Sequence, residues 1–68
     1  MEYKLTTFDN GVIVDDYFVH ANSLPQAKRL AKKYIDEVFD DICGITIILS
    51  DDNNKEYQFI YGQFKEVK

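Results

Sequence analysis

Residues 23–42, Ser-Leu-Pro-Gln-Ala-Lys-Arg-Leu-Ala-Lys-Lys-Tyr-Ile-Asp-Glu-Val-Phe-Asp-Asp-Ile, constrain the fold more than any other stretch. Leu24, Ala27, Leu30, Ala31, Tyr34, Ile35, Val38, Phe39 and Ile42 recur at spacings of three and four, the apolar stripe of a helix lying on a core. Ser23 predicts the N-cap, and Gln26 three residues on completes a capping box. Pro25 falls in the first turn, where its missing N–H costs nothing. Gly44 is the expected stop.

One helix on one core must have a sheet beneath it, and the flanking sequence supplies strands. Residues 2–8 are rich in β-formers and alternate, with Tyr3 and Leu5 facing one way. Asp9-Asn10-Gly11 is a hairpin signal, because Asn and Gly tolerate the positive φ of the favoured turns. Residues 12–21 read as the return strand. Val12, Val14 and Phe18 share one parity while Ile13, Tyr17, Val19 and Ala21 share the other, so a bulge near Asp15-Asp16 is expected. Ile45–Leu49 is a short apolar strand, and Ser50–Lys55 a polar turn. Residues 56–64 read as one final strand, with Tyr57, Phe59 and Tyr61 on one face, Ile60 and Phe64 on the other, and Gly62 marking a bulge or a close approach.

The layout is therefore an α+β hairpin-helix-hairpin (ββαββ): a four-stranded sheet with one helix packed on one face, in a single domain over 1–68 whose charged residues 65–68 form a frayed tail. Two strand orders fit. The strands can lie in sequence order, or the first and fourth can be neighbours.

Met1-Glu-Tyr-Lys-Leu5 opening a hairpin, a helix containing Ala27-Lys28 and Lys33-Tyr34, and a second hairpin ending in an aromatic strand resemble the immunoglobulin-binding β-grasp domains of streptococcal protein G. The resemblance implies a β-grasp-like fold with the first and fourth strands parallel and adjacent. It covers the layout of most of the chain and few identities. No tryptophan is present, whereas that family uses one in its third strand to contact antibody. The first hairpin and the helix are also longer here. No antibody binding and no functional residue is carried over.

A chain of 68 residues with 46% hydrophobic and 15% aromatic side chains has material for one core, and such a chain buries roughly 60% of its unfolded surface. One cysteine excludes an internal disulfide and any cysteine-based zinc cluster. No basic leader or long apolar run precedes the first strand, so the expected setting is soluble and cytoplasmic. A net charge of −4 disfavours direct binding to nucleic acid or anionic membrane.

No catalytic constellation is expected. His20 reads as a surface or strand-edge residue. Cys43 reads as a small buried apolar residue, since Asp40 and Asp41 beside it oppose a reactive thiolate. The acidic pairs Asp15-Asp16, Asp36-Glu37, Asp40-Asp41 and Asp51-Asp52 do not make a metal site. The turn at 51–56 lacks the glycine and glutamate of a calcium loop, and adjacent strand carboxylates point to opposite faces. The expectation is no enzyme, no metal and no cofactor.

The helix's outer face runs against local energetics. Lys28, Arg29, Lys32 and Lys33 crowd its N-terminal half, and Asp36, Glu37, Asp40 and Asp41 its C-terminal half. The macrodipole favours the reverse, by about 0.3–1 kcal/mol per well-placed charge. The i,i+4 pairs Lys28–Lys32, Arg29–Lys33, Asp36–Asp40 and Glu37–Asp41 repel. Rules broken without local compensation point to binding.

The expected function is thus a non-enzymatic, acidic protein-binding module, its partner a protein with a basic surface. Small acidic chains of this kind are common among phage and mobile-element inhibitors of host nucleic-acid-processing defence proteins, of anti-CRISPR or anti-restriction type. In that role Asp15, Asp16, Asp36, Glu37, Asp40, Asp41, Asp51 and Asp52 would face the partner, with Lys28, Arg29, Lys32 and Lys33 as a second contact. The alternative is a structural or regulatory homo-oligomer, a homodimer for example, associating through its open sheet face or its helix. A third reading gives the four cations contact with phosphate or nucleic acid.

Overall fold

Asn10 and Gly11 take φ angles of 53° and 79°, the two positive values of a two-residue type I′ turn, and so close the first hairpin where the sequence placed it. The computed structural model of the protein describes residues 1–41 and 43–67. Its elements in chain order are β1 (Glu2–Asp9), β2 (Val12–His20), α1 (Leu24–Val38), β3 (Ile45–Ser50), β4 (Glu56–Ile60) and β5 (Gln63–Glu66). The α+β class stands, but the chain is ββαβββ with five strands, not the four-stranded ββαββ expected. The sheet is antiparallel throughout in the order β2-β1-β3-β4-β5.

The fifth strand arises at Tyr61-Gly62. Both residues have positive φ, 51° and 77°, so what reads as one strand is a second type I′ hairpin. Tyrosine is unusual at the first of these positions, and its aromatic ring continues the alternation of Tyr57 and Phe59; that concealed the turn. The consequence is a change of face. Residues 59 and 64 would lie on opposite sides of one continuous strand, but across the turn Phe59 and Phe64 are direct partners, with ring centroids 4.9 Å apart. Lys65 and Glu66, expected in a frayed tail, belong to β5. Val67 N–H donates to the Glu56 carbonyl at 2.9 Å. Lys68 lies outside the described residues.

The parallel first-and-fourth-strand pair implied by the protein G resemblance is replaced by an antiparallel β1–β3 pair, running from Lys4↔Ser50 to Asp9↔Ile45. What remains of the resemblance is an antiparallel sheet crossed by one helix. Burial explains the order. The fully buried Leu5, Thr7, Ile47 and Leu49 all belong to β1 and β3, and neighbouring inner strands shield one another better than edge strands can. Each such aliphatic side chain contributes about 1.5–3 kcal/mol.

The bulge in the first hairpin is present. Thr7 pairs with Asp15 but Phe8 with Ile13, leaving Val14 as the extra residue, one position before Asp15-Asp16.

At the N-terminus of α1 the expected Ser23–Gln26 pair caps the helix, with Gln26 reaching one residue further back than a capping box requires. Ser23 Oγ accepts from the Gln26 N–H at 3.4 Å, and Gln26 Oε1 accepts from the Asn22 N–H at 2.7 Å. Ala27, Ala31 and Ile35 are buried against the sheet, the alanines allowing close approach. The helix ends at Val38 rather than at 42. Phe39 is its C-cap, in extended conformation, its N–H still donating to the Ile35 carbonyl. Asp40 and Asp41 would add negative charge to the negative end of the dipole, and Phe39 instead turns its ring edge onto Tyr34, 6.5 Å between centroids. Gly44 does not stop the helix; its φ of 81° lies in the turn into β3. Ile42, the last residue of the expected stripe, is outside the described residues.

Candidate functional site

Register assigns every strand side chain to a face. The face under α1 carries Tyr3, Leu5, Thr7, Val19, Ile47, Leu49, Tyr57, Phe59 and Phe64, most of them buried. The opposite face carries Phe8, Ile13, Phe18, Ile48 and Ile60 among Lys4, Thr6, Asp16, Glu56, Gln58 and Lys65, and no described element covers it. Ile60 and Phe18 are both on this face. Phe64 is not: the β4–β5 turn places it in the core at 8% exposure.

The apolar side chains concentrate at one edge. In β2, Val12, Ile13, Val14, Tyr17 and Phe18 are all exposed, Ile13 and Phe18 at 55% and 54%. β2 is also an edge strand, so one side of its backbone is without a strand partner. Val14 in the bulge and the Asp15-Asp16 pair interrupt that edge, devices that restrain indiscriminate strand pairing.

The expected acidic residues fall in four places. Asp15 points to the helix side, where its Oδ2 accepts the Tyr34 hydroxyl at 2.8 Å. Asp16 lies on the open face, 3.9 Å from Lys4 Nζ. Asp51 organises the β3–β4 turn, its Oδ1 accepting from the Asn53 and Lys55 N–H groups at 2.9 Å each, with exposed Asp52 beside it. Asp36, Glu37, Asp40 and Asp41 are all exposed, though the last two lie beyond the helix. Asp41 Oδ1 accepts the Cys43 N–H at 2.9 Å. Cys43 is exposed, not buried as expected: with the helix ended at Val38 it stands in the following turn, off the core-facing stripe. His20 is at the strand edge, Nε2 3.6 Å from Glu2 Oε2. Among the described residues no group of three His, Cys, Asp or Glu side chains converges as metal ligands.

The two flanks of α1 differ. Toward β2, Tyr34 stacks on Tyr17 with centroids 3.8 Å apart and planes 8° from parallel. The hydrogen bond to Asp15 holds the Tyr34 hydroxyl above its usual pKa, with burial and the Asp15 charge adding to the effect. Toward β4 and β5, Lys28, Arg29 and Lys32 line one wall of a groove of about 410 Å3 whose other wall is Gly62, Gln63 and Phe64. Lys28 Nζ lies 5.2 Å over the Tyr57 ring. Lys33 does not line this groove. The second wall was missed in the sequence because it exists only if Tyr61-Gly62 is a turn. An X-Gly pair between the alternating runs 57–60 and 63–66 was the available signal.

No family model matches the chain, and no curated protein or solved structure matches it either.

Proposed function

We propose that this protein is a non-enzymatic protein-binding module whose contact surface is β2 and the open sheet face that it borders. The observation that carries the reading is the exposure of Val12, Ile13, Val14 and Phe18 on one edge strand, with Ile13 and Phe18 sharing the uncovered face with Phe8 and Ile48. Exposed apolar surface gathered in this way, rimmed by polar groups, is a mark of protein interaction sites. An interface of standard size covers about 800 Å2 per partner, roughly one-sixth of this chain's 4761 Å2.

Charge selects the partner. The net charge of −4 and the exposed group Asp36, Glu37, Asp40 and Asp41, which has no ion-pair partner within 4 Å among the described residues, favour a protein with a basic surface and speed its approach. A nucleic-acid-processing defence protein has such a surface. Inhibition of one, in the manner of phage and mobile-element inhibitors, is the biological role that size and acidity suit.

The test is an affinity pull-down from bacterial lysate at low and high salt, with the native chain and with I13D/F18D. The expected result is a basic nucleic-acid-processing protein retained by the native chain at low salt, and lost both at high salt and with the variant. Equal retention by the variant would move the contact off β2.

The second reading, self-association, draws on the mixture of signs on the open face, where Lys4 and Lys65 lie among Asp16 and Glu56. Two copies of such a face can match charge as well as apolar area. Sedimentation showing a dimer that I13D/F18D dissociates would favour it over the hetero-partner.

A further inference from the structure

We propose that the groove between α1 and the β4–β5 turn binds a phosphate group, free or carried on a small organic ligand, through Lys28, Arg29 and Lys32. The site is on the helix side of the sheet, on a different surface from the β2 interface, and does not depend on it.

Charge is the first argument. Three cations line one wall, and none has an acidic partner within 4 Å among the described residues, although the chain holds twelve Asp and Glu residues. Lys28 and Lys32 repel at i,i+4. An anion seated among them converts that repulsion into attraction. Phosphate suits the arrangement better than carboxylate. Its three terminal oxygens and nearly double charge can engage an arginine fork and two ammonium groups at once.

Pre-organisation is the second. Lys28 is held over the ring of the buried Tyr57, a cation–π contact that fixes its ammonium before any ligand arrives. Less side-chain entropy is then lost on binding.

The opposite wall suits a small organic body. Nothing lies within 4 Å of where a Cβ on Gly62 would project, so the backbone there is open to close approach. Phe64 adds an aromatic edge. A volume of about 410 Å3 lies within the usual small-molecule range of roughly 300–1,000 Å3. A polynucleotide suits the site less well, because Asp36 and Glu37 follow Lys32 and Lys33 along the helix and would repel an extended polyanion.

The experiment is an NMR titration of the full chain at low ionic strength with inorganic phosphate, with AMP and with short single-stranded oligonucleotides, using sodium chloride at matched ionic strength as the blank. Saturable shifts of the Gly62, Gln63 and Phe64 amides and of those around Lys28–Lys32 are expected with phosphate and AMP. K28Q/K32Q should weaken binding by about tenfold or more, while K65Q, on the open sheet face, should leave it unchanged. K28Q/K32Q removes a repulsive pair, so it remains folded, as far-UV circular dichroism would verify. Tighter binding of AMP than of phosphate assigns a ligand with an organic body; equal binding assigns free phosphate. The proposal is overturned by absence of saturation, by shifts that the double variant leaves unaltered, or by oligonucleotide binding that grows with length while phosphate and AMP do not bind.

Discussion

The two flanks of α1 rest on the same sheet yet have opposite character. Toward β2 the flank is closed: Tyr34 stacks on Tyr17, donates to Asp15 and meets the edge of Phe39. Toward β5 it is open, a groove walled by three cations with no acidic partner within 4 Å among the described residues. On the closed flank the Tyr34 hydroxyl is satisfied within the chain and the rings pack on one another, so these residues serve stability. The open flank gathers charge at a small local cost. One helix therefore separates the structural use of its residues from a binding use by about half a turn.

Substitutions should separate the flanks cleanly. The largest effect is expected from Y34A, which removes the stack, the hydrogen bond and the Phe39 contact together; about 2–3 kcal/mol of stability should be lost in urea unfolding. A loss below about 0.5 kcal/mol would mean that this flank is not closed in solution.

Y34F keeps the stack and removes only the hydroxyl, at a cost of about 1 kcal/mol at neutral pH. It should also change the alkaline limb. The folded-state pKa of Tyr34 is raised above the ordinary tyrosine value, so its contribution is complete below the unfolded value and is lost as pH rises through the folded one. Stability of the native chain should therefore fall more steeply above pH of about 10 than that of Y34F. Tyr3, raised by burial and by Asp51, Tyr57 and Asp52, remains in both proteins, so the variant's slope should be reduced and not abolished.

Thr7 lies on the sheet between the flanks, fully buried, its hydroxyl without a hydrogen-bond partner among the described residues. T7V removes an unpaired polar group and keeps the shape, and a gain of about 1 kcal/mol is expected. A loss would point to a partner for that hydroxyl in solution.

The smallest effect belongs to the open flank. K32Q relieves the Lys28–Lys32 repulsion and gives up the Lys32–Asp36 attraction, so a net change of no more than a few tenths of a kcal/mol is expected. A clear destabilisation would show that Lys32 has a structural partner and would make the two flanks alike.

Much of this was legible locally. Asn10-Gly11, the Ser23–Gln26 cap and the Ala27, Ala31, Ile35 stripe follow from φ preferences, side-chain hydrogen bonding and periodicity, all acting over a few residues. The bulge was legible too, because a change of parity within one strand has few other causes. Tyr61-Gly62 was not, since a tyrosine at positive φ goes against propensity, and the error carried Phe64 to the wrong face. The helix end was misplaced because apolar Val38, Phe39 and Ile42 continue its period, whereas Phe39 packs on Tyr34 instead.

The sequence by itself determined one helix, a tight first hairpin, an α+β class and a helix whose charges oppose its dipole. Only the tertiary structure decided the strand order, the fifth strand, the exposure of β2 and of Cys43, and the meeting of Lys28, Arg29 and Lys32 with Gly62–Phe64. The physical reason is range. Backbone preference and periodicity are properties of neighbouring residues, whereas strand order follows from which strands most need two neighbours to keep their side chains from water.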